Sequence, residues 1–251
     1  MPITCLNCEQ IFEGNYCPNC GQKAITHRLN AAALVEETLH FFTHIHKGFL
    51  FTSWNYIVHP GVTAINYING KRTIYQPPVS YFLIWTGLYI LLHNTIIHYF
   101  HYSLAGEVVT HLDMTGQANV LLQKHFSLFL IPTVFISSLS VYYVLARPLY
   151  NYIEILAISL FGGGTYFMIT FFSDLILGYV FKVNILSAPV FIWQAILSSG
   201  YFLWLSFDMF KRVAIRHFWL RLISTSILVA FSGWIIMFYL PVAWLYLFGN
   251  K

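Results

Sequence analysis

Charge is scarce in this chain. Asp, Glu, Lys and Arg make up only 9% of its 251 residues, against roughly 25% in soluble domains. That excludes a water-soluble globular enzyme as a description of the whole. Cysteine is missing after residue 20, although four occur before it, so no disulfide framework is expected. The first 22 residues contain no Lys or Arg and two Glu. They offer phosphates no footprint, and nucleic-acid binding by this segment is disfavoured. Absent as well are a paired-histidine HExxH motif, a nucleophile elbow and a phosphate loop. The start, Met-Pro-Ile-Thr-Cys, has no basic stretch ahead of an apolar core, so a cleavable signal peptide is not expected.

What is abundant is apolar sequence. Hydrophobic residues are 58% and aromatics 19%, with a mean hydropathy of +0.65. Five segments reach the roughly 20 residues that a bilayer requires: 79–99, 126–146, 152–173, 186–207 and 222–240, the last able to run past Pro241 to Phe248. The expected fold class is an all-α integral membrane protein with three parts. Residues 1–22 form a four-cysteine zinc ribbon, 23–78 amphipathic interfacial helices, and 79–251 a five-span bundle. Ten cations (Lys23, Arg28, Lys47, Lys71, Arg72, Arg147, Lys211, Arg212, Arg216, Arg221) fall on one side of these spans, against Lys124, Lys182 and Lys251 on the other. The positive-inside rule then places the N-terminus in the cytoplasm and the C-terminus outside. A reducing compartment also suits free thiolates.

Cys5, Cys8, Cys17 and Cys20 stand in two C-x2-C pairs. Four thiolates at this spacing close a tetrahedral shell around Zn2+, with no open position for catalysis, so the metal is expected to be structural; a redox-active dithiol pair is the lesser alternative. Ile11-Phe12, Gly14-Asn15 and Tyr16 read as a small hairpin between the pairs. Residues 31–47 have Val35, Leu39, Phe42 and Ile45 on one helical face, an interfacial pattern. Glu36, His40 and His44 share the opposite face at i, i+4, i+8. That is a polar stripe or, with His46 and His59 nearby, a second metal site. Residues 48–58 are too few to span. His59-Pro60 should end that helix. A helix over 61–69 follows, with Val62, Ile65 and Ile68 on its apolar side and Thr63, Asn66 and Asn69 opposite. Gly70 suits its C-cap, Lys71 and Arg72 its dipole, and Pro77-Pro78 resets the chain.

The spans hold no carboxylate near their centres: Glu154, Asp174 and Asp208 are read at span ends. This argues against a proton- or sodium-driven transporter. On the outer half of the first span, Asn94, His98 and His101 share a face near His93, and His111, Asp113 and His125 follow in the next loop. Such residues are interfacial or form an outer metal site. Gly162-Gly163-Gly164 permits close helix packing or a broken, path-lining helix, and Gln194 can hydrogen-bond between helices.

The run CLNC…NYCPNCGQ, KGFLFT, HPG…YINGKR and QPPVSY resembles an uncharacterised bacterial family that joins a zinc ribbon to a membrane region and carries a PG…YIxGKR…P signature. The resemblance covers roughly residues 1–95. It implies zinc at the four cysteines, residence in the bacterial inner membrane, and signature positions of unknown role at Pro60, Gly61, Gly70, Lys71, Arg72 and Pro78. His59 stands where the family pattern has Arg. Five spans with a Pro-Gly helix ahead of them are also similar to the Yip family, in fold alone. The function expected is non-enzymatic: ribbon and interfacial helices bind a cytoplasmic protein and couple it to the bundle, which contacts membrane lipids and is able to self-associate. A channel or small-molecule transporter is the alternative. A membrane enzyme with a His-based metal site is weaker.

Overall fold

The structure, a computed structural model, describes residues 2–26, 28–41, 48–100, 126–211 and 215–248. Two short strands, β1 (Ile3–Thr4) and β2 (Ile11–Phe12), pair antiparallel. The rest is helical: α1 (Ala31–Phe41), α2 (Phe49–Val58), α3 (Pro60–Ile68), α4 (Pro78–Phe100), α5 (Phe126–Val141), α6 (Tyr152–Asp174), α7 (Ala188–Phe210) and α8 (Phe218–Phe248). Wider π turns extend α5 over Tyr142–Ala146 and α6 over Leu175–Val180. Among the described residues, three helices are long and apolar enough to cross a membrane: Pro78–Phe100, Tyr152–Val180 and Pro189–Phe210. The apolar stretches Pro132–Ala146 and Phe218–Gly233 are shorter. Three of the five expected spans are therefore supported.

Proline sets the helix boundaries. It fixes its own φ and bars the preceding residue from helical geometry. α2 accordingly stops at Val58, and α3 begins with Pro60 at its first position. Asn151 starts α6 with a capping box: its side chain accepts from the Glu154 N–H at 2.8 Å, and Glu154 Oε2 accepts from the Asn151 N–H at 2.7 Å. Two orphan donors are satisfied reciprocally.

The core forms where α2 and α3 lie across α4, α6 and α7. Tyr56, Tyr67, Tyr81 and Phe161 are all buried. Tyr56 stacks on Phe161 with ring centroids 4.6 Å apart, and Tyr67 meets Phe161 edge-on at 5.1 Å. Such ring pairs contribute about 0.5–1.5 kcal/mol each beyond their area. α4 and α6 make the closest long packing because α6 is small there. A Cβ on Gly163 would lie 3.1 Å from Phe82, one on Gly164 2.7 Å from Tyr81, and one on Gly162 3.0 Å from Leu205. Between apolar helices, close approach of this kind replaces the hydrophobic drive that water supplies elsewhere. The helix runs through the three glycines unbroken.

Several expected faces are corrected. The strands flank the first cysteine pair instead of forming a hairpin between the pairs, since Ile3 and Thr4 occupy the edge of β2. Leu34 is buried and Val35 exposed on α1. On α3, Pro60, Gly61, Thr63, Ala64 and Tyr67 face inward, while Val62, Ile65 and Ile68 are only half-buried. Small residues let α3 sit against the α7 backbone, and that contact decided its rotation. Asp174, the last residue of α6, is fully buried, and the wider turn carries the span on to Val180.

A Cβ on Gly61 would collide with Met209 N and the Asp208 carbonyl carbon, whereas one on Gly87 meets nothing. Gly61→Ala should lower stability in detergent by about 2 kcal/mol through forced separation. Gly87→Ala should be neutral or stabilising by up to about 1 kcal/mol. Equal denaturation midpoints for the two variants would contradict the close approach.

Candidate functional site

Two matching knuckles build the cysteine cluster. In the first, the Cys5 N–H donates to the Gln10 carbonyl and the Glu9 N–H to the Cys5 carbonyl, each at 2.9 Å. In the second, Cys17 N–H donates to Gln22 O at 2.8 Å and Gly21 N–H to Cys17 O at 2.9 Å. Glu9 (φ 64°) and Gly21 (φ 74°) occupy equivalent left-handed positions. Only the glycine advertised this turn in the sequence. The knuckles bring all four sulfurs within 4.8 Å of one another. Cys5–Cys20 and Cys8–Cys17 are each 3.5 Å apart. Tetrahedral Zn–S bonds of about 2.3 Å imply sulfur separations of roughly 3.8 Å, so the donor set fits such an ion closely. The four Cys side chains could hold a metal ion. Without one, the Gln10 backbone lowers the Cys8 thiol to about 6, and burial raises Cys20 to about 11. A divalent cation would draw all four to thiolates.

The cluster does not hang free. Gln22, which directly follows the second knuckle, is buried against the turn after α3. Its Nε2 donates to the Gly70 carbonyl at 2.8 Å. Its Oε1 accepts from the Thr73 hydroxyl at 3.1 Å and from the Arg72 and Thr73 N–H groups at 3.3 and 3.4 Å. The turn is shaped to receive it. Gly70 has φ 100°; its N–H donates to Tyr67 O at 3.2 Å and that of Lys71 to Asn66 O at 3.0 Å, the paired bonds of a Schellman cap. A Cβ at Gly70 would also press on Leu6 of the first knuckle at 2.9 Å. Lys71 Nζ stands 3.7 Å from Glu9, and the Arg72 guanidinium lies over the Tyr67 ring at 5.8 Å.

The other end of α3 is held by α7. Asp208 Oδ2 accepts from the Gly61 N–H at 2.8 Å and the Val62 N–H at 3.4 Å, and its Oδ1 pairs with Lys211 Nζ at 2.6 Å. A carboxylate at a helix N-terminus satisfies orphan donors and complements the dipole. A second tether comes from the segment after the ribbon. Arg28 makes a two-pronged contact with buried Glu154 at 2.7 and 2.9 Å, and Asn151 Nδ2 donates to Leu29 O at 3.0 Å.

The remaining sequence candidates separate in space. Pro78 begins α4 and is buried. Glu36 is paired with Lys23 at 2.6 Å. The His40 side chain, His44 and His101 lie outside the described residues, as do His46, His111, Asp113 and His125. His98 is exposed on α4 beside Asn94. Gly162, Gly163 and Gly164 sit in the helix contacts given above. Gln194 is buried and donates to Asp174 at 2.8 Å. Among the described residues, the four cysteines form the single metal-capable group of three or more ligands. Sequence reasoning missed Gln22 and Asp208, whose partners lie far along the chain.

A family model described as "Protein of unknown function (DUF3667)" matches residues 47–90. The match spans α2, α3, the GKR turn and the first half of α4, the elements that join the cysteine cluster to the long helices. This supports the resemblance to an uncharacterised family. No curated protein and no solved structure matches the chain.

Gln22→Leu removes every bond that Gln22 makes to the turn while leaving the cysteines in place. It should cost about 1–3 kcal/mol of docking and speed proteolysis between residues 23 and 30, with metal loading of the full chain unchanged. Unaltered cleavage would show that Gln22 does not hold the ribbon.

Proposed function

We propose that this chain is a non-enzymatic, multi-span protein of the bacterial cytoplasmic membrane. Its N-terminal zinc ribbon captures a cytoplasmic protein and transmits that engagement to the helix bundle. The observation that carries the reading is the continuous path from Gln22 through the Gly70 turn and α3 to Asp208 on α7. A mere fold staple has no need of such a path. Zinc is the metal we assign, since four thiolates at these separations suit its tetrahedral preference and leave no catalytic opening. The ribbon keeps apolar side chains in the open, with Ile11 68% and Tyr16 60% exposed, as a partner surface requires.

In this reading α5 and α8 complete a five-span bundle with the N-terminus inside. α2 lies along the inner membrane surface with Leu50, Phe51, Trp54 and Ile57, all exposed on one face, set among lipids. Self-association is compatible with the exposed apolar flanks of α7 and α8. The channel alternative has less support. Gly163 and Gly164 lie against Phe82 and Tyr81, and Gln194 is engaged by Asp174, so neither faces a described passage.

Crosslinking in native membranes, followed by capture of wild type and the Cys17→Ala/Cys20→Ala double variant, tests the proposal. The expected result is about one zinc per wild-type chain and a specific cytoplasmic partner, both lost in the variant while membrane insertion persists. The same partner captured by the metal-free variant would overturn it.

A further inference from the structure

A buried acid inside a membrane-length helix calls for a function, because at mid-span its insertion costs about 2.5–3.5 kcal/mol even on permissive scales, and nearer the end it still needs partners. Asp174 is such an acid: it is 0% exposed within the Tyr152–Val180 span. Two other helices supply groups to its two oxygens. Oδ2 lies 3.2 Å from Nδ1 of His93 on α4, and Oδ1 accepts from Nε2 of Gln194 on α7 at 2.8 Å. The Tyr89 hydroxyl is 3.4 Å from the same His93 nitrogen. On α6 itself, Tyr166 is the further titratable group near Asp174, and it is a neutral phenol. α7 adds only the neutral amide of Gln194. The Leu175–Val180 turn packs Gly178 onto Ile96 and Ile185. No Lys or Arg meets the pair among the described residues.

The charge balance makes the pair a proton acceptor. An ionised Asp174 beside a neutral imidazole leaves one uncompensated negative charge in an apolar bundle. One added proton, held on the carboxyl, cancels it. We propose that His93 and Asp174 form a proton-binding site at the end of the bundle remote from the cysteine cluster. A metal ion is the wrong occupant: the site has a single carboxylate, and both of its oxygens already face hydrogen-bonding groups. The His93 side chain is 10% exposed and Asp174 is sealed, so the proton enters by the imidazole. The Gln194 amide can turn from donor to acceptor, which keeps α6 and α7 joined in both states. Gln194 lies roughly 20 Å along α7 from Asp208, the residue that holds α3. The site is independent of the ribbon reading and stands or falls by itself.

The chain has three aspartates, Asp113, Asp174 and Asp208, so carbon-13 labelling of aspartate isolates few signals. Infrared difference spectra of the full-length protein in nanodiscs, between about pH 5 and about pH 8, should show an aspartate band exchange. It should vanish in Asp174→Asn, whose amide preserves the hydrogen bonds. In His93→Gln, which still offers Oδ2 a donor, the midpoint should move by about one pH unit or more, a tenfold change in proton affinity. Zinc content and partner capture should be unchanged in Asp174→Asn. A wild-type spectrum lacking the exchange, an identical spectrum for Asp174→Asn, or an unmoved midpoint in His93→Gln would each overturn the site and leave a plain structural hydrogen bond.

Discussion

A short helix resting on the backbone of a long one is the constraint on which the remaining structure depends. Gly61 admits α3 to within contact of the Asp208–Met209 peptide, and the Asp208 carboxylate receives the first free N–H groups of α3 at that point. Neither feature works without the other. A side chain at position 61 would hold the helix away from the carboxylate, and a missing carboxylate would leave a buried helix start unsatisfied. Pro60 fits the same place because it has no N–H to satisfy.

Once α3 is fixed at its start, its end is fixed too. The Schellman cap at Gly70 turns the chain back and presents the Gly70 carbonyl and the Arg72 and Thr73 amides to Gln22. A small four-cysteine module with little core of its own (Cys5, Phe12 and Cys17) thereby gains a rigid seat. The Arg28–Glu154 contact adds a second tether to the start of α6. Pro60, Gly61 and Gly70 act as one device: Pro60 and Gly61 dock the helix, and Gly70 shapes the cradle for Gln22.

Much of this architecture was legible in the chain. Proline marked the starts of α3 and α4, apolar runs marked the long helices, and paired spacing marked the cysteines. Faces and partners were not legible. Apolar periodicity pointed to Val62, Ile65 and Ile68, yet α3 turns Thr63, Ala64 and Tyr67 inward, because close backbone approach favours small residues over large apolar ones. Glu9 takes a left-handed turn that only a glycine would have signalled. Asp174 gave no sign of being buried, because its partners His93 and Gln194 lie on other helices. A polar residue is placed by its partner, and pairing across the chain leaves no local pattern.

The four-cysteine module and the turn after α3 form one mechanical unit. Hydrogen exchange on the full-length protein in nanodiscs, with and without a chelator, tests it most directly. Stripping the metal should deprotect the ribbon and also the 69–76 turn, whose amides bond Gln22. Protection of 69–76 that is indifferent to the metal would contradict the account.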